Sequence, residues 1–217
     1  MRIIAGKYRS RTLRSLKGQA LRPTSDRLRE TLFNILAPRI TRSRFADLYA
    51  GSGAVGIEAL SRGASHVWFA EKAEPALAAI RANLKALKIG QGYTIEERGT
   101  GALLERLVKM AQKMSSATVL VPAGDAAVAT QSTQSSVQGE LLDLIYLDPP
   151  WEAETEYANT LHLLGSGRGR ATLAPGALII AEHSSKAPLP ARFGELVQTR
   201  TLKQGDAALS FYALAAE

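Results

Sequence analysis

Two stretches of the chain combine residue types that can do chemistry. In Leu144-Ile145-Tyr146-Leu147-Asp148-Pro149-Pro150-Trp151 an apolar run ends in an acid, two prolines and an aromatic. Prolines have no N–H, so the backbone there presents carbonyl acceptors and few donors. A carboxylate, an adjacent carbonyl and a flat aromatic suit a planar substrate that carries an amino group. Asp148 and the Pro149 carbonyl would accept its two N–H bonds, and Trp151 would stack on the ring. Upstream, Asp47-Leu48-Tyr49-Ala50-Gly51-Ser52-Gly53-Ala54-Val55-Gly56 runs an apolar segment into a glycine turn. Gly51, Gly53 and Gly56 satisfy G-x-G-x-x-G, in which glycines let the backbone bend and approach a ligand at a helix N-terminus. Glu71 ends the next apolar run, where an acid can take two ribose hydroxyls. Either motif alone is compatible with an ordinary turn. Together, at two strand ends, they point to a nucleoside cofactor beside a planar amino substrate.

The elements that must position these residues alternate. Residues 45–50 read as a strand and 54–62 as a helix; 66–70 as a strand and 74–88 as a helix with Pro75 in its first turn. Then come a strand at 93–97, a helix at 101–113, a strand-like 118–121 and a polar Gln/Ser/Thr stretch at 129–139. A buried strand at 141–147 is next, with a helix at 153–164, a Gly/Arg loop at 165–170 and a strand at 177–182. The segments 196–202 and 208–214, split by Gly205-Asp206, read as a closing hairpin. Strands alternating with helices predict an α/β fold, a mostly parallel sheet with helices on both faces. Such sheets bind ligands beyond the carboxyl ends of their strands, at the switch point. Ahead of this unit, residues 1–20 read as a basic β-hairpin around a turn at 6–10. A helix then runs from the Pro23-Thr24-Ser25-Asp26 start until Pro38 stops it.

Composition removes whole classes. With no cysteine there are no disulfides, thiolate zinc sites or cysteine nucleophiles. No apolar run approaches the roughly 20 residues of a membrane span, so no membrane role is expected. His66, His162 and His183 are scattered without metal spacing, and Glu152, Glu154 and Glu156 suit the start of a helix better than a metal. No metal is expected. The formal charge of +7 is uneven: residues 1–44 hold twelve Lys/Arg against Asp26 and Glu30, whereas the remainder holds 15 basic and 18 acidic side chains. A local field of one sign is a footprint for phosphate, although a solvated basic face would look the same.

These segments resemble the class I S-adenosylmethionine-dependent methyltransferases that act on exocyclic amino groups, whose [Asp/Asn]-Pro-Pro-aromatic signature is met at 148–151. The resemblance narrows through Arg22-Pro23-Thr24-Ser25-Asp26-Arg27, the 2–11 segment and the 45–63 segment with Glu58-Ala59-Leu60-Ser61-Arg62-Gly63. In order along nearly the whole chain, these are similar to the bacterial 16S ribosomal RNA guanine-N2 methyltransferases, the RsmD-like family. The resemblance implies a Rossmann-like, seven-stranded sheet with a C-terminal antiparallel hairpin. It implies a catalytic domain at 45–217, with an insertion within 93–139, preceded by an RNA-binding extension at 1–44. The implied cofactor is S-adenosyl-L-methionine and the implied partner is 16S rRNA or the small ribosomal subunit, for a cytoplasmic enzyme expected as a monomer. Asp148, Pro149, Pro150 and Trp151 would form the catalytic amino-group site. Asp47, Tyr49, Ala50, Gly51, Ser52, Gly53, Glu71 and Lys72 would hold the cofactor. Arg2, Lys7, Arg9, Arg11, Arg22, Thr24 and Arg27 would meet RNA.

The middle of the chain departs from the family pattern. The adenine-binding position has two candidates: Thr100, with the expected spacing after Glu71 but no carboxylate, and Asp125, with a carboxylate arriving late. Acceptor chemistry leans to Asp125; the strand that pairs beside the Glu71 strand identifies the adenine side. Rival readings are a DNA adenine-N6 or cytosine-N4 amino-methyltransferase, which shares the Asp-Pro-Pro logic but usually adds a recognition domain, and a non-catalytic RNA-binding assembly factor. An NAD-dependent dehydrogenase would explain the glycines but neither residues 148–151 nor the basic arm.

Overall fold

The computed structural model of the chain describes residues 1–16, 26–117 and 141–215. Helix α1 is Asp26–Ile40, followed by β1 (Arg44–Leu48), α2 (Ala54–Ser61), β2 (His66–Ala70), α3 (Glu74–Ala86), β3 (Tyr93–Glu96) and α4 (Thr100–Ala117). After the undescribed residues come β4 (Leu142–Leu147), α5 (Glu154–Leu164), α6 (Gly167–Arg170), β5 (Leu173–Ser184), β6 (Arg192–Phe193), β7 (Leu196–Gln204) and β8 (Ala207–Leu214). They build one sheet in the order β3-β2-β1-β4-β5-β8-β7-β6. Strands β1 to β5 pair in parallel, and β8 joins β5 antiparallel.

Alternation along each strand sorts the core into two layers. Phe45, Val67, Phe69, Leu144 and Tyr146 face α1, α2 and α3, whereas Ala46, Trp68, Ala70, Ile145 and Leu147 face α4 and α5. These strands are buried on both faces, which is why they read as continuous apolar runs. Ile3 and Leu13 of the N-terminal arm belong to the first layer.

Four expectations change. Among the described residues the sheet has eight strands rather than seven, because the two-residue β6 pairs with β7 at the edge. Among the described residues the N-terminal hairpin has the isolated Arg2–Thr12 bridge in place of two strands; Ile3 and Leu13 N–H donate to Arg11 O and Met1 O, and Ser10 N–H to Ile3 O. Pro38 does not stop α1, which runs on to Ile40. A proline so near the end forfeits one bond of the last turns, and buried Ile40, whose carbonyl takes Ser43 N–H and Oγ–H, anchors the turn into β1. The segment 165–170 contains a short helix, capped by Ser166 Oγ on Gly169 N. Its glycines serve close packing: a Cβ on Gly165 or Gly169 would lie 1.9 Å from the carbonyl oxygen of Phe193 or Leu163. The expected strand at 118–121 and the polar stretch at 129–139 lie outside the described residues.

Candidate active site

Register brings the sequence-predicted residues together. Leu48 pairs with both Ala70 and Leu147, and Ala70 with Glu96, so β1, β2, β3 and β4 end level. The residues just beyond each end, Tyr49, Glu71, Glu97 and Asp148, therefore stand in one row along the carboxyl edge. The chain turns from β1 toward β2 on one side and places β4 on the other. The row thus straddles the topological switch point, where open α/β sheets bind ligands.

The glycine turn is fixed from beneath. Asp47 is buried, and its Oδ2 accepts the Gly56 N–H at 2.8 Å. Burial pushes the Asp47 carboxyl up to about 8, against the opposing pull of the Gly56 N–H. Gly51 and Gly53 take φ of +54° and +77°, the left-handed region that favours glycine. A Cβ at Gly51 would meet nothing within 4 Å, whereas one at Gly56 would lie 2.3 Å from Phe69 Cε1. The turn is therefore open outward at Gly51 and packed tight at Gly56. Glu71 accepts Gly51 N–H through Oε2 at 2.9 Å, and the N–H groups of Lys72 and Ala73 through Oε1, each at 2.8 Å. Its carboxylate is held in place with one acceptor site left, on Oε2, for a hydroxyl donor. Thr100, at the start of α4, is buried, and its hydroxyl faces that of Tyr49. Together the open Gly51 face and the fixed Glu71 carboxylate fit a nucleoside with ribose hydroxyls. The strand beside the Glu71 strand is Tyr93–Glu96, which leads to Thr100; Asp125 lies outside the described residues.

On the other side of β1, Pro149 is buried, Asp148 and Trp151 are half-buried and Pro150 is exposed. Pro150 O accepts Ala153 N–H at 2.8 Å, which turns the chain into α5. Two tyrosines brace this corner, and sequence reasoning gave neither that task. Tyr157 OH donates to Glu182 O at 2.7 Å and lies 3.2 Å from Pro149 O. Burial raises its pKa, so it stays a donor. Tyr49 has φ of +64° and sends its hydroxyl to Glu156 Oε2 at 2.7 Å, with Thr160 Oγ1 at 2.9 Å. Burial pushes that phenol to about 12. Tyr49 thus ties the start of the glycine turn to the helix beyond Trp151.

Known proteins resemble the chain along nearly its whole length. A family model described as "Conserved hypothetical protein 95" matches residues 1–121 and 103–213. The Bacillus subtilis protein "Putative rRNA methyltransferase YlbH" is 32% identical over 212 residues, covering 98% of each chain. The chain belongs to this family. Its members include the RsmD-like branch of the class I S-adenosylmethionine-dependent methyltransferases. "Ribosomal RNA small subunit methyltransferase D" of Haemophilus influenzae is 49% identical over 88 residues, 41% of this chain and 46% of that protein. Among solved structures, "Putative methyltransferase yhhF" from Escherichia coli superposes with a TM-score of 0.72 at 30% identity, covering 100% of this chain and 99% of that one.

In this methyltransferase the basic arm is docked firmly. Glu58 of α2 is fully buried; Oε2 accepts Ile4 N–H at 2.8 Å, and Oε1 accepts Ala5 N–H at 3.0 Å and Arg62 Nε–H at 2.8 Å. Ser61 Oγ accepts Tyr8 N–H and donates to Ala5 O, and a Cβ on Gly6 would lie 1.9 Å from Ser61 O. The turn bearing Lys7 and Arg9 therefore sits at the far end of α2, roughly 12 Å from the glycine turn by helix rise. Arg2, Lys7, Arg9, Arg11 and Arg27 are exposed; Arg22 and Thr24 lie outside the described residues. Not all the N-terminal cations face solvent. Arg29 is fully buried on Asp26 and the Arg2 carbonyl, and the half-buried Arg44 pairs with Asp143 at 3.5 Å. Glu58 and Asn83 were missed as working residues. Asn83 carried a signal, since it falls on the apolar stripe formed by Ala76, Leu77, Ile80 and Leu84. Among the described residues no helix is long and apolar enough to cross a membrane.

Proposed function

We propose that this enzyme transfers a methyl group from S-adenosylmethionine to the exocyclic N2 of a guanine in small-subunit (16S) ribosomal RNA. The carrying observation is the level register of β1, β2 and β4, which sets Asp148–Trp151 beside the glycine turn and Glu71. The printed names of its relatives support rRNA as the substrate class. When bound, the cofactor supplies an electrophilic methyl group on a sulfonium. The 51–53 turn would hold its methionine end together with Asp47, Glu71 its ribose, and Thr100 the adenine side, in preference to Asp125 because β3 is the neighbour of β2.

The guanine N2 lone pair is delocalised into the ring, which makes it a poor nucleophile. Asp148 and Pro149 O would accept hydrogen bonds from its two N–H groups, drawing the nitrogen toward tetrahedral geometry and turning the lone pair toward the methyl group; the methylated, cationic nitrogen then loses one proton through Asp148 to water. Tyr157 orients that carbonyl while leaving it a free lone pair. Trp151 stacks on the base, and Asp148 favours the positive charge that develops on nitrogen. Orientation of two bound reactants contributes most of the acceleration. A paired base cannot reach such an edge, so the guanine enters unstacked or flipped. The exposed cations of the arm hold the RNA backbone, which makes affinity fall with salt.

Mass mapping of methylated nucleosides in rRNA, with and without the enzyme, tests base and atom together. Asp148→Ala should lower turnover at least roughly a hundredfold, the scale of losing a positioned charge-stabilising group, while S-adenosylhomocysteine binds within about twofold. Retained turnover would remove Asp148 from the reaction.

A further inference from the structure

Three segments distant in sequence meet at one buried side chain. Asn83 of α3 is 2% exposed. Its Nδ2 donates to Ser52 O at 3.0 Å and to Arg14 O at 3.1 Å, and its Oδ1 accepts Arg14 N–H at 2.8 Å. Both donors are used, and the pair of bonds to Arg14 copies the way one extended residue pairs with another. A buried amide is costly unless satisfied in this way, and a leucine would fill the same place on the apolar stripe of α3. The amide is therefore doing something packing does not require.

Ser52 lies between Gly51 and Gly53, both at positive φ. A turn of this kind has wide conformational freedom and must be held by its surroundings. Gly51 N–H is held by Glu71 and Gly56 N–H by Asp47, both from within the sheet unit. The Ser52 carbonyl is held by Asn83, whose other two bonds go to the arm. We propose that Asn83 is a positioning residue for the cofactor turn, and that through it the N-terminal arm forms part of the cofactor site. The arm then does more than present positive charge: its backbone at Arg14 sets the amide that sets the turn. This rests on the reading that residues 51–53 hold the cofactor. A turn ordered before binding saves the cost of ordering it on binding, so the effect falls on cofactor affinity.

The test separates backbone from charge. Arg14 is exposed, so Arg14→Ala and Arg14→Pro remove the same charge, but only proline removes the N–H that Asn83 accepts. Asn83→Asp, nearly the same shape, removes the amide donors from the other side and reports on the link where Arg14→Pro disturbs the arm. The full chain is titrated calorimetrically with S-adenosylhomocysteine, and methylation is measured against S-adenosylmethionine concentration at saturating RNA. Arg14→Ala should bind within about twofold of wild type. Arg14→Pro and Asn83→Asp should bind roughly three- to tenfold more weakly, the scale of one or two buried hydrogen bonds, with KM raised and kcat within about twofold. A purely structural stitch would lower the melting temperature and leave the dissociation constant of the folded protein unmoved. Wild-type affinity in both variants overturns the role of Asn83, whatever their melting temperatures. Failure of the wild type to bind S-adenosylhomocysteine overturns the cofactor reading beneath it.

Discussion

Replacing Glu58 by alanine should release the arm. The carboxylate is fully buried and receives Ile4 N–H, Ala5 N–H and Arg62 Nε–H, while Arg62 itself is only 12% exposed. Alanine leaves two amides and a guanidinium short of their acceptor in a site with little water. Breaking a buried charged pair from one side costs about 3–5 kcal/mol. For a domain of this size that is a fall in melting temperature of ~6–20 °C if the arm stays docked and the whole fold bears the loss. The chain has a cheaper response, which is to let the arm go and restore water to its donors. Loss of about 3 kcal/mol raises the undocked population roughly a hundredfold. Lys7, Arg9 and Arg11 are exposed trypsin targets on this segment, and cleavage through an opened state tracks its population. Limited trypsinolysis coupled to intact-mass analysis should show cleavage at these positions about two orders of magnitude faster in Glu58→Ala. Urea denaturation measures any remaining global loss. A variant cut in the arm at the wild-type rate and melting within about 1 °C of it would show that Glu58 is not the clamp, and the docked-arm account would be wrong.

The Asp47 carboxyl, pushed up to about 8 by burial, titrates near 3.9 in an unfolded chain. Between those values the folded state binds more protons, so this contribution to stability is full below about pH 4 and drains as pH rises through 8. Asp47→Asn removes the dependence: the stability gap between variant and wild type should shift by on the order of 3 kcal/mol in the variant's favour between pH 5.5 and 8.5. A constant gap in urea denaturation across that range refutes this. Gly56→Ala would gain up to about 1 kcal/mol of helix propensity. Its Cβ would meet Phe69 Cε1 at 2.3 Å and Val67 Cγ1 at 2.9 Å, and such overpacking costs about 1–3 kcal/mol. Net destabilisation is expected, and a variant more stable than wild type in urea would contradict the packing role of that glycine.

The sequence alone determined the alternation of strands and helices, the ends of β2 and α5 to within a residue, and the two motifs at 47–56 and 148–151. These are local properties: period-2 and period-3.6 burial, and backbone chemistry particular to glycine and proline, write themselves directly into residue order. The family was legible for the same reason, as runs such as Arg22–Arg27 are contiguous. Where local signals mislead, packing decided otherwise. The glycines at 165 and 169 resemble a loop and serve close approach, and Pro38 resembles a stop in a helix whose end is anchored beyond it.

Only the tertiary structure decided what acts on what. That Asp148, Glu71 and Tyr49 stand level is a matter of strand register between segments far apart in the chain. That β3 neighbours β2 is likewise a matter of strand pairing, which no local signal states. The N-terminal charge looked like a uniform handle. The fold divides it into cations facing solvent and the structural Arg29 and Arg44, because a guanidinium's role depends on which carboxylate or carbonyl the chain brings to it. Asn83 and Glu58 read as a polar residue on an apolar stripe and an acid in a small helix; apart from the Arg62 side chain, their partners, at Arg14, Ser52, Ile4 and Ala5, are backbone groups. A backbone amide carries no residue-specific mark, so hydrogen bonds to it are invisible until the chain has folded.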